Sequence, residues 1–291
     1  MTITFNLADK TYKVDSAEFT MKLIDAVTNK SLGHSDYSWD NAVHTVSLTA
    51  YRIGETEVTQ ELWEKVMDSK PSYFDGTSGK EADNGEEQAK RPVENINWYQ
   101  AIAFCNKLSL KLGLEPCYTV NVGGNPLDFE NLTWSAIPTS NNEDWNKTVL
   151  DMSKKGFRLP TEAEWEWAAK GGTEDKWAGM NKEGMLKDYA WYDHSGEGNA
   201  NSKTHEVKKK LPNRYGLYDM SGNVFEWCWD WYSNTTPMGG QDPKGIASGS
   251  GRVMRGGCWS FGAKSCVIGL RGSGWPVRGF YALGLRLVSR P

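Results

Sequence analysis

The last part of the chain carries a pattern that excludes long regular elements. From Tyr215 to the C-terminus, glycine and tryptophan recur every few residues, as in Arg255-Gly-Gly-Cys-Trp259. Glycine readily adopts turns with positive φ, and a large indole can fill a core between loops. The whole chain shares this bias, with 30 glycines and 14 tryptophans among 291 residues. We therefore predict an α+β fold with little regular secondary structure, made of few helices, short strands and long packed loops.

Three segments carry helix signals. Thr59 precedes apolar residues at helical spacing over residues 62–67, which makes it a candidate N-cap. An apolar stripe over residues 98–112 predicts a second helix. Thr161 is followed three residues later by Glu164, and this capping-box pattern opens a third, short helix.

The other segments are typical of strands and loops. Residues 1–48 alternate weakly between apolar and polar, as in Ile3-Phe5-Leu7 at positions 3–7, which predicts short strands. The glycine pair at 123 and 124 predicts a hairpin turn. Residues 70–92 and 186–211 are polar and predict exposed loops. Because no linker or internal repeat interrupts the chain, we predict a single domain over residues 1–291.

Cysteines, histidines and apolar segments exclude several classes of protein. The five cysteines are widely spaced without a CxxC pair, which argues against a disulfide framework, and Cys105 lies on a helical apolar stripe that favours a buried thiol. The four histidines share no metal-ligand spacing. No segment approaches 18 uncharged apolar residues, so we expect no membrane span. The first residues lack the pattern of a signal peptide.

Charge is distributed unevenly along the chain. The formal net charge is −4, yet the segment from Trp229 to Pro291 holds eight bases and only two acids. A basic segment can indicate nucleic-acid binding. These bases are spaced out among glycine and tryptophan, however, and arginines of this kind bond to carbonyls and acids inside loop-rich folds. We therefore expect no nucleic-acid partner.

Five motifs in the same order resemble the formylglycine-generating enzyme (sulfatase-modifying factor) family over residues 18–291. The resemblance implies a variant of the C-type lectin fold. The motifs are Gly54-Glu-Thr-Glu-Val-Thr59, Pro92-Val-Glu-Asn-Ile-Asn-Trp98, Gly156-Phe-Arg-Leu-Pro-Thr-Glu-Ala-Glu-Trp-Glu-Trp-Ala168, Tyr215-Gly-Leu-Tyr-Asp-Met-Ser-Gly-Asn-Val-Phe-Glu-Trp227, and Arg252-Val-Met-Arg-Gly-Gly-Cys-Trp259 with Gly284-Leu-Arg-Leu-Val288.

The chemistry of that enzyme family is missing from the matching positions. The resemblance implies two active-site cysteines separated by four residues after an Arg-Gly-Gly-Ser-aromatic motif. Here Cys258 replaces the serine, Phe261 stands where the first catalytic cysteine is expected, and Cys266 is eight residues from Cys258. Two thiolates must converge to bind copper(I), so we expect no copper. We therefore expect no enzymatic activity and assign no catalytic residue.

The segment 252–291 resembles a narrower class, the variable proteins of diversity-generating retroelements. Its scaffold pattern is present at Ala263, Cys266, Arg271, Pro276 and Arg278. In that class, error-prone reverse transcription at adenines changes the residues between the scaffold positions, which then form a ligand-binding surface. The resemblance implies this role for Ser260, Phe261, Gly262, Lys264, Ser265, Leu270, Gly272, Ser273, Trp275, Gly279, Phe280, Tyr281 and Ala282.

Aromatic members of this set are candidate binding anchors, because aromatic side chains dominate many interfaces. We favour that role for Phe280 and Tyr281. For Trp275 a core position is equally compatible with the sequence, since an asparagine codon cannot reach tryptophan through changes at adenine alone. We expect Trp259, Arg271, Arg278 and Arg286 to point inward or to bond to the backbone.

A structural calcium ion is the second property that the resemblance implies. The family's calcium loop corresponds to residues 219–226 in this sequence. Its oxygen ligands would be the side chains of Asp219 and Glu226 and the carbonyls of Gly222 and Val224, a mixture that suits calcium. The alternative is that the two acids cap turns or pair with arginines.

Taken as a member of this class, the chain is expected to be a non-enzymatic ligand-binding protein. The resemblance implies display at the cell surface or outside the cell, and an unidentified protein or other ligand on a host or neighbouring cell as the partner. Two alternatives stay open at this point: an oxidoreductase that modifies protein cysteines, and a structural or partner-binding module without diversification.

Overall fold

The computed structural model describes residues 8–37, 39–193 and 198–291. The predicted strand at positions 3–7 lies outside these residues. Within them the chain forms short strands and four α-helices joined by long loops. The helices are α1 (Gln60–Met67), α2 (Trp98–Lys111), α3 (Glu143–Asn146) and α4 (Glu162–Lys170).

Helix starts follow the capping signals in the sequence. At α1, the Thr59 hydroxyl accepts a hydrogen bond from the Leu62 amide at 3.3 Å. At α4, the Thr161 hydroxyl accepts from the Glu164 amide at 3.2 Å, and the Glu164 carboxylate accepts from the Thr161 amide at 2.9 Å. The predicted capping box is therefore confirmed. Cys105 lies in α2 and is fully buried, as the apolar stripe predicts.

A five-stranded antiparallel sheet joins the two ends of the chain. Its order is β1 (Lys10–Val14), β2 (Ala17–Ile24), β5 (Tyr51–Gly54), β16 (Val288–Ser289) and β10 (Phe157–Arg158). In β16, Val288 stands opposite Ile53 of β5. The last strand therefore packs against the N-terminal part of the domain, which anchors the loops that precede it.

A four-stranded sheet carries those loops. Its order is β14 (Gly272–Gly274), β13 (Arg252–Arg255), β11 (Phe225–Trp231) and β15 (Leu283–Leu285). β15 runs parallel to β11, whereas β13 and β14 are antiparallel to their neighbours. The chain leaves this sheet after β13 and again after β14, and both excursions contain predicted ligand-binding residues.

Three smaller sheets complete the fold. One has the order β12 (Gly240–Gln241), β4 (His44–Leu48) and β3 (Val27–Leu32). The others pair β6 (Tyr118–Thr119) with β9 (Val149–Leu150), and β7 (Asn121–Val122) with β8 (Asn125–Pro126). The last pair confirms the hairpin predicted at the glycines 123 and 124. Among the described residues, no helix is long and apolar enough to cross a membrane.

Buried ion pairs connect α4 to the C-terminal segment. Glu162, Glu164 and Glu166 are all nearly inaccessible, and each pairs with an arginine. The arginine partners are Arg271, Arg158 and Arg255, respectively. Removing one partner of such a pair leaves an uncompensated buried charge, so these contacts fix the position of the chain. Arg255 and Arg271 of the C-terminal segment thus serve packing, as their spacing in the sequence indicates.

Candidate functional site

The first group of predicted ligand-binding residues lies in the loop after β13. The chain turns at Gly256 and Gly257, whose φ angles are 96° and 74°. A Cβ atom on Gly257 would lie 2.5 Å from the Ser265 carbonyl oxygen, so only glycine fits there. Trp259 is buried, its amide donates to the Asn223 carbonyl at 2.8 Å, and its indole donates to the Tyr281 carbonyl at 3.1 Å.

Beyond Trp259 the loop becomes accessible. Phe261 is 44% exposed, Lys264 is exposed, and Ser260, Gly262 and Ser265 are half-buried. All of these except Ser260 line a cavity of about 600 Å³. Its other lining residues are Glu183, Gly184, Lys187, Tyr192 and Ala263. We call this cavity the 261–265 pocket. It places charged, polar and aromatic side chains together.

A second group forms an aromatic surface beside that loop. Tyr281 is 48% exposed, and its ring centroid lies 5.7 Å from that of Trp259 and 5.6 Å from that of Tyr73. The buried Phe225 ring lies 5.6 Å from Phe261 and 6.5 Å from Phe280.

We define Phe261, Phe280, Tyr281 and Tyr73 as the aromatic face. Tyr73 belongs to the predicted loop 70–92, and the sequence pattern gave no reason to place it at the site. It is 47% exposed, so it adds a side chain from outside the C-terminal segment to this surface.

The segment around β14 places its residues differently. Trp275 is 69% exposed, so it is not a core residue, and Ser273 is also exposed. Leu270 is half-buried and packs against an apolar cluster, and Gly272 stands opposite Met254 in the sheet.

Gly279 is exposed, but a Cβ atom there would approach the Asn95 carbonyl oxygen to 2.9 Å. A larger residue at position 279 would therefore force the backbone to shift.

Two predictions about this segment are wrong. Ala282 is 1% exposed and its carbonyl accepts a hydrogen bond from the Phe225 amide at 2.8 Å, so its methyl group is inside the protein. Arg278 is exposed rather than directed inward, and its guanidinium carbon lies 5.2 Å from the centre of the Phe280 ring. Arg278 therefore lies beside the aromatic face, and no acid pairs with it among the described residues.

The expected framework residues are otherwise buried. The Arg271 guanidinium donates to both oxygens of Glu162, at 2.7 and 2.9 Å. Arg286 is fully buried and donates to both oxygens of Glu226. The exposed residues of the C-terminal segment are therefore interleaved with residues that are held inside by ion pairs.

Cys258 and Cys266 are both buried and reduced in this structure. Burial raises the pKa of the Cys258 thiol to about 11 and also raises the pKa of Cys266 well above its usual value. The Cys258 sulfur lies 3.3 Å from the Ser260 hydroxyl, while the Cys266 sulfur faces the Cys258 carbonyl oxygen at 3.9 Å. Reactive cysteines need an exposed, thiolate-stabilising environment, which this arrangement does not supply.

The predicted calcium ligands do not fit a calcium ion as folded. Both oxygens of Glu226 accept from Arg286, and one also accepts from the Trp165 indole at 2.6 Å. Asp219 accepts from the Lys208 amide through Oδ2, at 2.8 Å, whereas its Oδ1 is buried without a hydrogen bond. A guanidinium already neutralises Glu226, so Asp219 is the one acid among the predicted ligands that is left to accompany the carbonyls of Gly222 and Val224, which is a weak donor set for calcium.

Another group of potential metal ligands was not apparent from sequence spacing. Asp83, Glu86 and His205 place one ligand atom each within 4.8 Å of the others. These side chains already have partners: Glu86 bonds to His205 Nδ1 at 2.8 Å, and Asp83 pairs with Lys203 at 2.6 Å. The contact joins positions more than a hundred residues apart, which no local motif reveals.

The family model described as the sulfatase-modifying factor enzyme 1-like domain matches residues 7–291. The solved structure of Treponema denticola variable protein 1 is 62% identical, with a TM-score of 0.92, and the match covers 98% of this chain and 100% of that one. The resemblance of this chain to a variable protein is therefore confirmed.

Two curated relatives extend this picture. The chaperone protein LppX of Paenibacillus barcinonensis is 34% identical over 255 residues, which is 82% of this chain and 78% of that protein. The formylglycine-generating enzyme of Thermomonospora curvata is 37% identical over 126 residues, 39% of this chain and 42% of the enzyme. The α+β fold of the formylglycine-generating type is confirmed, and the chain belongs to the sulfatase-modifying factor enzyme 1-like domain family.

Proposed function

We propose that this protein binds ligands without catalysis, through a C-terminal surface diversified by a retroelement and displayed at the cell surface or outside the cell. The observation that carries the proposal is the contrast within the C-terminal segment 252–291. Side chains such as Phe261, Lys264 and Tyr281 are exposed, while Trp259 and Arg271 of the same segment are buried. The high identity to a variable protein supports the same reading.

This arrangement suits a binding protein because stability and specificity rest on different side chains. The buried ion pairs and the tryptophan-rich core hold the loops in place. Replacing an exposed side chain between them changes the surface offered to a ligand and removes few buried contacts. The aromatic face supplies the anchors, and the 261–265 pocket supplies the adjacent polar contacts.

The genome gives a direct test of diversification. The DNA downstream of the gene should contain a near-copy of its 3′ end, with AAC codons at exposed positions such as those of Phe261, Ser273 and Tyr281, next to a reverse-transcriptase gene. A genome with neither the near-copy nor the reverse transcriptase would contradict the proposal.

A partner-binding module without diversification is the second candidate function. The match to a protein named as a chaperone, over most of both chains, favours it. The same genomic test separates the two, because an undiversified module needs no template copy.

The oxidoreductase alternative is disfavoured by the buried, protonated thiols of Cys258 and Cys266. Incubating the protein with copper, oxygen and a sulfatase-type cysteine peptide should leave the peptide unchanged by mass spectrometry. Enzymatic conversion of its cysteine to the aldehyde would restore that alternative.

A further inference from the structure

Arg252 differs from the other fully buried arginines of the described chain. The others make at least three side-chain hydrogen bonds each; they are Arg91, Arg158, Arg255 and Arg286. Arg252 is 1% exposed and makes a single one, from Nη1 to the Trp229 carbonyl at 2.5 Å. Its Nε is buried without a partner, and no acid forms an ion pair with it among the described residues.

Three indoles surround this guanidinium, but their ring faces do not accept hydrogen bonds from its N–H groups. Its carbon lies 3.7 Å from the ring centre of Trp98, 3.5 Å from that of Trp231 and 5.0 Å from that of Trp229. Such cation–π contacts stabilise the charge over the ring faces. They cannot accept the in-plane N–H groups, of which a guanidinium has five. Apart from the Trp229 carbonyl, the charge therefore lacks the acceptors that the other buried arginines have.

Asp230, the described acid whose charge acts on Arg252, does not supply such an acceptor. Asp230 is buried, and its Oδ2 accepts from the Glu162 amide at 2.8 Å. Burial raises the pKa of Asp230 to about 8, so it is largely protonated at neutral pH. An anion from outside the protein would complete the environment of Arg252, since a buried cation without a counter-charge is unfavourable.

Arg252 is among the residues that line a cavity of about 680 Å³, from which such an anion would approach it. Trp229 and Trp231 line it, together with the segment 244–249. Lys147 and Lys244 are exposed at its edge and have no ion-pair partner among the described residues. Because Glu143 is the one acid among the lining residues, positive charge prevails around the cavity.

We propose that this cavity binds a small carboxylate ligand, whose acid group pairs with Arg252 and whose flat body lies against Trp229 and Trp231. A carboxylate fits the planar fork of a guanidinium through two parallel hydrogen bonds. None of the lining residues belongs to the predicted ligand-binding set, so this site is separate from the aromatic face and does not depend on diversification.

Titration calorimetry on the full chain tests the site with two carboxylic acids of different chemical class. Benzoate represents aromatic acids, galacturonate represents acidic sugars, and benzamide and galactose are their neutral counterparts. We expect saturable binding of at least one acid and no binding of its neutral counterpart. Binding of benzoate alone assigns an aromatic acid, binding of galacturonate alone assigns an acidic sugar, and binding of both assigns the carboxylate as the feature recognised.

Variants locate the binding. R252Q should abolish saturable binding, whereas R252K should retain part of it because the charge remains. K244E should weaken binding about threefold or more through loss of attraction at the rim, and the matched control K65E, an exposed lysine of α1, should not. If R252Q fails to fold, the comparison of ligand binding by K244E and by K65E tests the site instead. Absence of acid-specific binding in the natural chain, or equal effects of K244E and K65E, would overturn the proposal.

Discussion

Arg271 and Glu162 meet in a buried fork, with Nε–Oε1 and Nη2–Oε2 distances of 2.7 and 2.9 Å. Arg271 lies between the exposed positions 264 and 273, and Glu162 opens the helix α4. The pair therefore ties the segment that we propose to be diversified to the interior of the fold. It explains how neighbouring exposed residues can change while the backbone that carries them stays in place.

We predict that R271A destabilises the protein by about 3–5 kcal/mol, because the buried Glu162 loses both hydrogen bonds from Arg271 and keeps only its ion pair with Arg255 at 3.4 Å. Arg278, seven residues later, is exposed and has no acidic partner among the described residues, so R278A should change the free energy of unfolding by less than about 0.5 kcal/mol. Urea denaturation of both variants measures the difference. Equal losses would contradict the separation of framework from surface.

The same separation predicts opposite effects at two aromatic residues in contact. Trp259 is 8% exposed, so W259A should cost about 3–5 kcal/mol of stability. Tyr281 is 48% exposed, so Y281A should cost about 1 kcal/mol or less. Thermal and chemical unfolding provide the comparison. A Y281A variant as unstable as W259A would show that Tyr281 is a structural residue.

Asp219 predicts a specific pH dependence of stability. Burial raises its pKa from 3.8 to about 6, against the opposing hydrogen bond from the Lys208 amide, and the Glu226 charge adds to the increase. A carboxyl with a raised folded-state pKa gives its full stability below pH 4, and this stability is lost as the pH rises through 6. Replacing Asp219 by asparagine removes that loss and keeps an oxygen acceptor for the Lys208 amide.

We expect D219N to be more stable than the natural protein by about 1–3 kcal/mol at pH 7.5, with the gain disappearing near pH 4. The control D128N changes an exposed acid whose pKa is lowered, chiefly by its Asn131 hydrogen bond, so it should bring no gain at pH 7.5. Urea denaturation at the two pH values measures both. A gain that is independent of pH would show that ionisation of Asp219 is not its cause.

The sequence predicts a structural calcium ion at residues 219–226, whereas the structure leads us to expect no stabilisation by calcium. Because Arg286 occupies both oxygens of Glu226, we expect the melting temperature to be the same, within about one degree, in millimolar calcium chloride and in EDTA. E226Q should lower stability equally in both buffers, through loss of the buried pair. A melting temperature that falls in EDTA would restore the calcium loop at residues 219–226.

The sequence was informative where local rules decide the structure. Thr59 and the pair Thr161 and Glu164 cap helices because their side chains reach amides three residues away. The C-terminal arginines were predicted to bond internally, and Arg271 and Arg286 do so. Arg278 is exposed instead, because the tertiary path of the chain decides whether an arginine meets a carboxylate.

Features of the site that depend on long-range packing could not be predicted. Tyr73 joins the aromatic face through contact with Tyr281, across two hundred residues of sequence. Ala282 was placed on the surface with its neighbours, yet it is buried together with the whole of β15, which it directly precedes. The indoles that surround Arg252 likewise include those of Trp98 and Trp231, which no sequence motif connects.

Sequencing the 3′ end of the gene across a bacterial population tests the central claim most directly. We predict that amino-acid changes concentrate at exposed positions such as Phe261, Ser273 and Tyr281 and trace to adenines in a template copy. The buried positions Trp259 and Arg271 should not change. An invariant 3′ end, or changes spread equally over buried and exposed positions, would contradict the proposal that this surface is diversified for ligand binding.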